Sequence, residues 1–166
     1  DWSRVRVMLT DERWVPVDHA RSNAGLLRAR LFVNRAAAAT FVPFHIEGAT
    51  PQDGAKTVSA ALEDDLPLSI AVLGMGADMH TASLFPKAEG LSAALAPDAP
   101  ALCPILAQGQ EPRVTLSARA LNSAPTKHLI IFGETKRAAL DAALGALPEE
   151  APVSTILKGA VIHWAA

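Results

Sequence analysis

The chain has 166 residues, half of them apolar, with 15 basic against 17 acidic side chains and a formal net charge of −2. A near-neutral chain without a basic run gives no support to nucleic-acid or membrane-surface binding, and no apolar run approaches the roughly 20 residues of a membrane span. Cys103 is the only cysteine, so an intramolecular disulfide is impossible and a reducing cytoplasm is the expected compartment; its apolar surroundings mark it as a buried structural thiol.

In chain order, Val5 to Leu9 is an apolar, β-branched strand that ends at Thr10-Asp11-Glu12-Arg13. Ser22 or Asn23 caps a helix carrying Leu26, Leu27 and Leu31. Phe41 to Ile46 is a short extended segment. Val58, Leu62 and Leu66 recur at steps of four and give one helical face over 51–66, which Pro67 stops. Leu68 to Leu73 reads as a buried strand. Leu91 to Leu95 is a short helix, and Pro97, Pro100 and Pro104 mark irregular connections. Arg113 to Ser117 alternates like a strand, and 118–124 is helical or turn-like. Leu129 to Phe132 reads as a second strongly buried strand, ending at Gly133-Glu134-Thr135-Lys136. Leu140, Leu144 and Leu147 define a helix that Pro152 breaks, and Val161 to Trp164 is a final strand. Strands alternating with helices predict an α/β fold, a mostly parallel sheet flanked by helices, in one domain over 1–166.

In open α/β sheets ligands sit beyond the carboxyl ends of parallel strands. Several predicted strands end in ionisable residues: Asp11-Glu12-Arg13, Asp78-x-His80 and Glu134-Thr135-Lys136. Parallel strands bring these to one edge, and Arg113 joins them if its connection returns there. His80 is a candidate base near neutral pH, weighed against a satisfied surface histidine. Asp78, two residues earlier, orients the ring or caps the backbone that follows. Gly74 and Gly76 permit a tight turn and close approach to a ligand. The G-x-G-x-x-G dinucleotide fingerprint is not completed, because Met79 stands at its third glycine. Arg13, Arg113 and Lys136 suit an anionic group, against the plainer reading of solvated surface cations. Ser83 lacks the G-x-S-x-G elbow of a nucleophile. His19, His45, His128 and His163 show no metal spacing, so no metal is expected.

The stretch Leu73 to Pro86 reads LGMGADMHTASLFP and resembles the LGxGxDGHTASLFP signature of the 6-phosphogluconolactonases. Three further motifs follow the same family in order: Thr10 to Pro16 (TDERWVP) with Ser22-Asn23, Arg113 to Leu116 (RVTL), and Gly133 to Lys136 (GETK). The resemblance implies a fold shared with glucosamine-6-phosphate deaminases and ribose-5-phosphate isomerases. It implies hydrolysis of 6-phospho-D-glucono-1,5-lactone to 6-phosphogluconate in the pentose phosphate pathway, without cofactor, the sugar-phosphate lactone being the partner. By the same resemblance His80 is the catalytic base with Asp78 beside it and Arg13 a substrate-site cation. Glu12, Asn23, Gly74, Gly76, Arg113 and Lys136 fall in the substrate site, Arg113 and Lys136 where the wider superfamily binds the sugar phosphate.

The sequence departs from the family in two places. Met79 replaces the glycine before the histidine. No residue matches the family's N-terminal G-G-[ST]-x-P phosphate loop, so the chain is expected to lack that segment and to expose sheet edge and apolar helix surface in consequence. The alternatives are an amino-sugar-phosphate deaminase or aldose–ketose isomerase, whose base acts at carbon, and an inactive truncated sugar-phosphate-binding domain. A sugar-phosphate sensor ranks below these, since no helix-turn-helix segment is visible. Nothing in the sequence fixes an oligomeric state.

Overall fold

The computed structural model describes residues 1–166. Eight strands and five α-helices follow one another: β1 (Arg6–Met8), β2 (Asp11–Arg13), α1 (Asn23–Arg30), β3 (Thr40–Val42), α2 (Pro51–Leu62), β4 (Ile70–Leu73), α3 (Leu91–Leu95), β5 (Leu102–Ile105), β6 (Arg113–Leu116), α4 (Ala118–Asn122), β7 (Thr126–Phe132), α5 (Glu134–Ala143) and β8 (Ala160–Ala165). The elements expected from periodicity are present. α1 is capped by Ser22, whose hydroxyl accepts the Gly25 N–H, and α2 by Thr50, with Pro51 opening its first turn, a position where proline's missing N–H costs nothing.

The strands form three sheets. β1 and β3 pair in parallel, and β4, β7 and β8 form a parallel sheet in the order β4-β7-β8. The third sheet, β2-β6-β5, is antiparallel, so Asp11 to Arg13 is not the tail of β1 but a strand of its own. Its register sets Arg13 opposite Arg113. Pro104, expected in an irregular connection, lies inside β5, which is an edge strand and therefore tolerates a residue without an N–H. Cys103 is buried in the same strand, and burial pushes its thiol up to about 11, in keeping with a structural rather than a nucleophilic group.

The core lies between the inner face of the parallel sheet (Ala71, Leu73, Leu129, Ile131), the antiparallel sheet (Leu102, Ile105, Val114, Leu116) and α2 (Ala55, Val58, Leu62). Leu84 and Phe85 of the signature are part of it, which anchors the loop in the same packing that stabilises the fold. Each such large side chain contributes about 1.5–3 kcal/mol when fully buried.

Two apolar runs are less buried than they read. In β4, Ile70 is 60% and Val72 58% exposed, and Phe132 of β7 is 66% exposed. Both strands alternate buried and exposed, because packed elements cover one face of this sheet and leave the other open. A parallel sheet is ordinarily covered on both faces; in this chain one apolar face of the β4-β7-β8 sheet is open. α5 ends at Ala143, leaving Leu144 and Leu147 exposed rather than on a buried helical stripe.

Candidate active site

The signature loop leaves β4 at Leu73 and folds back on itself. The Gly76 N–H donates to the His80 carbonyl and the Met79 N–H to the Gly76 carbonyl, both at 3.0 Å. The buried Thr81 hydroxyl donates to the Gly74 carbonyl at 2.9 Å, and the Val153 N–H donates to the Met79 carbonyl at 3.0 Å. This closed turn presents Asp78 and His80 together: Asp78 Oδ1 lies 2.5 Å from His80 Nδ1 and also accepts the His80 backbone N–H at 3.3 Å. Asp78 thus orients the imidazole and caps the turn at once, the two roles its position in the sequence allows.

Gly76 makes room within the protein rather than for a ligand. A Cβ there would overlap both the His80 ring and the Asp78 carboxylate. Gly74 carries no such constraint, since a Cβ would come no closer than 4.0 Å to the Ile130 carbonyl. Gly76→Ala is accordingly expected to swing the imidazole away from Asp78 and lower turnover at least tenfold, with a melting temperature near that of the parent; steady-state kinetics beside a thermal melt check this. Met79 has φ +66, the left-handed region that favours glycine. This is the position where the resembling family has glycine, and partial packing of the Met79 side chain against the core offsets the strain.

Beyond His80 the chain builds a second layer. The Phe85 ring stacks 4.3 Å from the His80 ring, centroid to centroid, and the Arg113 guanidinium carbon lies 5.0 Å from the Phe85 centroid. Arg113 is only 7% exposed. Its charge is met by Asp11 at 3.7 Å, by the Gln110 side-chain oxygen, which accepts from Nη2 at 2.6 Å, and weakly by Ser83 Oγ at 3.5 Å. Burial lowers the Arg113 pKa, with Arg13 adding repulsion and Asp11 and Glu111 opposing it. Ser83 is not a nucleophile but a buried hub: its hydroxyl donates to Asp11 at 2.6 Å, and its N–H donates to Thr115 Oγ1 at 3.2 Å. It thereby ties the signature loop to β2 and β6.

Glu12 supports Arg13 and Asn23 from inside the fold. It is 1% exposed, and its carboxylate accepts from the backbone N–H groups of Arg13, Asn23 and Ala24 at 2.7–2.8 Å and from the Ser22 hydroxyl at 3.2 Å. An anion at a helix N-terminus, satisfied by free N–H groups, fixes the helix. The structure turns the Glu12 carboxylate onto the start of α1 and β2, where it accepts four hydrogen bonds. Glu12→Gln turns an acceptor into a donor facing N–H groups. It is expected to cost about 2–3 kcal/mol of stability, read by urea unfolding, while KM of the surviving enzyme stays within about twofold. Asn23 is held by the same network; its amide donates to the Asp11 carbonyl and its oxygen accepts from Arg13 Nη1 at 2.9 Å, so it aims Arg13.

The structure thus gathers Asp78, Gly76, His80, Arg113, Arg13, Glu12 and Asn23 into one connected region. Lys136 lies in the first turns of α5, just past the carboxyl end of β7, and makes no side-chain hydrogen bond or ion pair. The β4–β7 register, Leu73 opposite Leu129, puts it at the same sheet edge as the loop after β4, but no side-chain contact joins it to the others. Sequence reasoning weighed Asp11 only as a charged strand end and Ser83 only as a nucleophile, and it passed over Phe85 and Thr115. The alternation of β6, which sets Arg113 and Thr115 two residues apart on one face, is a signal that could have found Thr115. Two open grooves, of about 370 Å³ between α2 and β5 and about 520 Å³ beside α4, share no residue with this region.

An imidazole–carboxylate pair at the end of a parallel sheet, backed by the buried Arg113, suits an enzyme that works by acid–base chemistry on a small anionic substrate. The chain is a member of the family described as glucosamine-6-phosphate isomerases/6-phosphogluconolactonase, whose pattern matches residues 1–164. It is 42% identical to the 6-phosphogluconolactonase of Pseudomonas aeruginosa over 99% of this chain and 71% of that protein. It is 43% identical to that of Mesorhizobium japonicum, with the same shares covered. Among solved structures, a 6-phosphogluconolactonase from Shewanella baltica superposes with a TM-score of 0.94 at 32% identity, covering all of this chain and 74% of the other.

Proposed function

We propose that this chain, as one domain over 1–166, hydrolyses 6-phospho-D-glucono-1,5-lactone to 6-phosphogluconate in the pentose phosphate pathway, with His80 as general base. The observation that carries the reading is the His80–Asp78 pair, 2.5 Å apart, in a chain of this family. With Asp78 taken up by Nδ1–H, the neutral ring keeps Nε2 as its free, basic nitrogen. Nε2 removes a proton from water as that water attacks the lactone carbonyl. The tetrahedral intermediate collapses as the imidazolium returns the proton to the departing ring oxygen, so no proton is lost or gained at the enzyme. Acid–base assistance of this kind is worth about 10²–10⁴-fold. Arg113 holds the phosphate at a distance from the reacting carbon, which fixes the carbonyl against the base; Arg13, aimed by Asn23 and set opposite Arg113, takes the second place in this hold that the resemblance gives to Lys136. Cofactor-free chemistry in a cytoplasmic compartment belongs to the same reading, as does the absence of nucleic-acid partners. No helix is long and apolar enough to cross a membrane.

The test is acid release from freshly prepared 6-phosphogluconolactone above the spontaneous rate, with ammonia release from glucosamine 6-phosphate followed in parallel. Acid without ammonia is the expected result. Ammonia release would move the chain to the deaminase reaction.

A further inference from the structure

Three buried side-chain polar atoms in this protein have no hydrogen-bond partner: Arg13 Nε, Arg113 Nε and Glu111 Oε1. All three lie in one cluster. β2 and β6 set Arg13 opposite Arg113, Arg13 Nη1 donates to the Arg21 carbonyl at 2.8 Å, and Arg21 Nε lies 2.9 Å from Glu111 Oε1. That last contact is a charge contact without hydrogen-bond alignment, which is why the oxygen still lacks a directional donor. Buried polar atoms are ordinarily paired, and an unpaired group calls for an explanation. Unpaired guanidinium N–H groups on two neighbouring arginines are donors awaiting an acceptor, and a phosphate has the oxygens to engage them in forked pairs.

The cluster also carries its own anion. The Arg21 guanidinium lies against the Glu111 carboxylate, and this carboxyl is held below the usual range, first by its own backbone N–H and then by the charges of Arg21, Arg113 and Arg13. The neighbouring Gln110 oxygen occupies Arg113 Nη2. Both residues sit on the short connection between β5 and β6 beside Gly109, whose φ is +73 and around which a Cβ would meet nothing.

We infer that Glu111 is a built-in counter-ion of an anion subsite formed by Arg13, Arg21 and Arg113, so that it competes with the substrate phosphate and sets the strength and selectivity of phosphate binding. It neutralises the arginines when the subsite is empty. A dianionic phosphate ester brings more charge and more acceptor oxygens than Glu111, whereas a monoanion gains little by displacing it. The inference rests on the sugar-phosphate reading above, but binding of phosphate can be measured without turnover.

The experiment is titration of the protein with inorganic phosphate, followed by calorimetry, for the parent chain, Glu111→Gln and Gln110→Glu. Removing one competing charge at this range is expected to tighten phosphate binding about tenfold in Glu111→Gln. Adding a charge against Arg113 in Gln110→Glu is expected to weaken it by a similar factor. The two variants move in opposite directions, so loss of fold in one leaves the other to decide. Affinity unchanged in a folded Gln110→Glu, or weakened in a folded Glu111→Gln, would overturn the inference. Phosphate affinities in the expected order across the three proteins, with no acid released from the lactone by the parent chain, would contradict the lactonase reading and leave the counter-ion in place.

Discussion

His80→Ala is expected to lower kcat for 6-phosphogluconolactone by about 10²–10⁴-fold, the worth of one general base. KM should change by less than about threefold. The imidazole packs against Phe85 and hydrogen-bonds Asp78, but the loop that carries it is closed by backbone bonds to Gly76 and by Thr81, and these survive the substitution. The variant should therefore fold and bind while losing chemistry. A melting temperature within a few degrees of the parent, with kcat and kcat/KM falling together, is the pattern of an interaction made in the transition state. A parallel rise in KM would instead assign His80 to binding.

Arg113→Met carries the second large effect. Methionine keeps much of the packing on Phe85 but removes the fork. A hydrogen bond to a charged group is worth about 1.5–3 kcal/mol, or about 10–150-fold. The loss should appear as a fall of that size in kcat/KM for the phosphorylated lactone. Turnover of the unphosphorylated lactone should change by less than about threefold. Arg113→Lys should recover only part of the loss, because lysine restores the charge without the planar geometry. An equal fall for both lactones would show that Arg113 acts through the fold of the loop and not through the phosphate.

Much of this site was legible in the sequence because local chemistry positions it. Asp78 and His80 are two residues apart, Gly76 is required by the ring that lies over it, and Ser22-Asn23 caps a helix where capping residues predict one. The apolar periods of α2 and β7 placed the elements that support the site. What was not legible depends on pairing between distant segments. The antiparallel sheet joins Asp11–Arg13 to Arg113–Leu116 across about a hundred residues, and nothing local in a three-residue strand announces its partner. Glu12 read as a site residue because its neighbours are; only the fold shows its carboxylate turned inward onto α1. Ser83 was set aside by nucleophile logic, yet a buried hydroxyl between a carboxylate and a guanidinium orders both. The runs 68–73 and 129–132 read as fully buried because an unbroken apolar strand predicts cover on both faces, whereas in this chain one face is open.

The most direct measurement is acid release from 6-phosphogluconolactone by the 166-residue chain, beside His80→Ala and an enzyme-free blank. Turnover above the blank in the parent, reduced at least a hundredfold in a folded variant, is the predicted result. Equal turnover in the two proteins would contradict His80 as the base, and a parent indistinguishable from the blank would contradict lactonase activity in this chain.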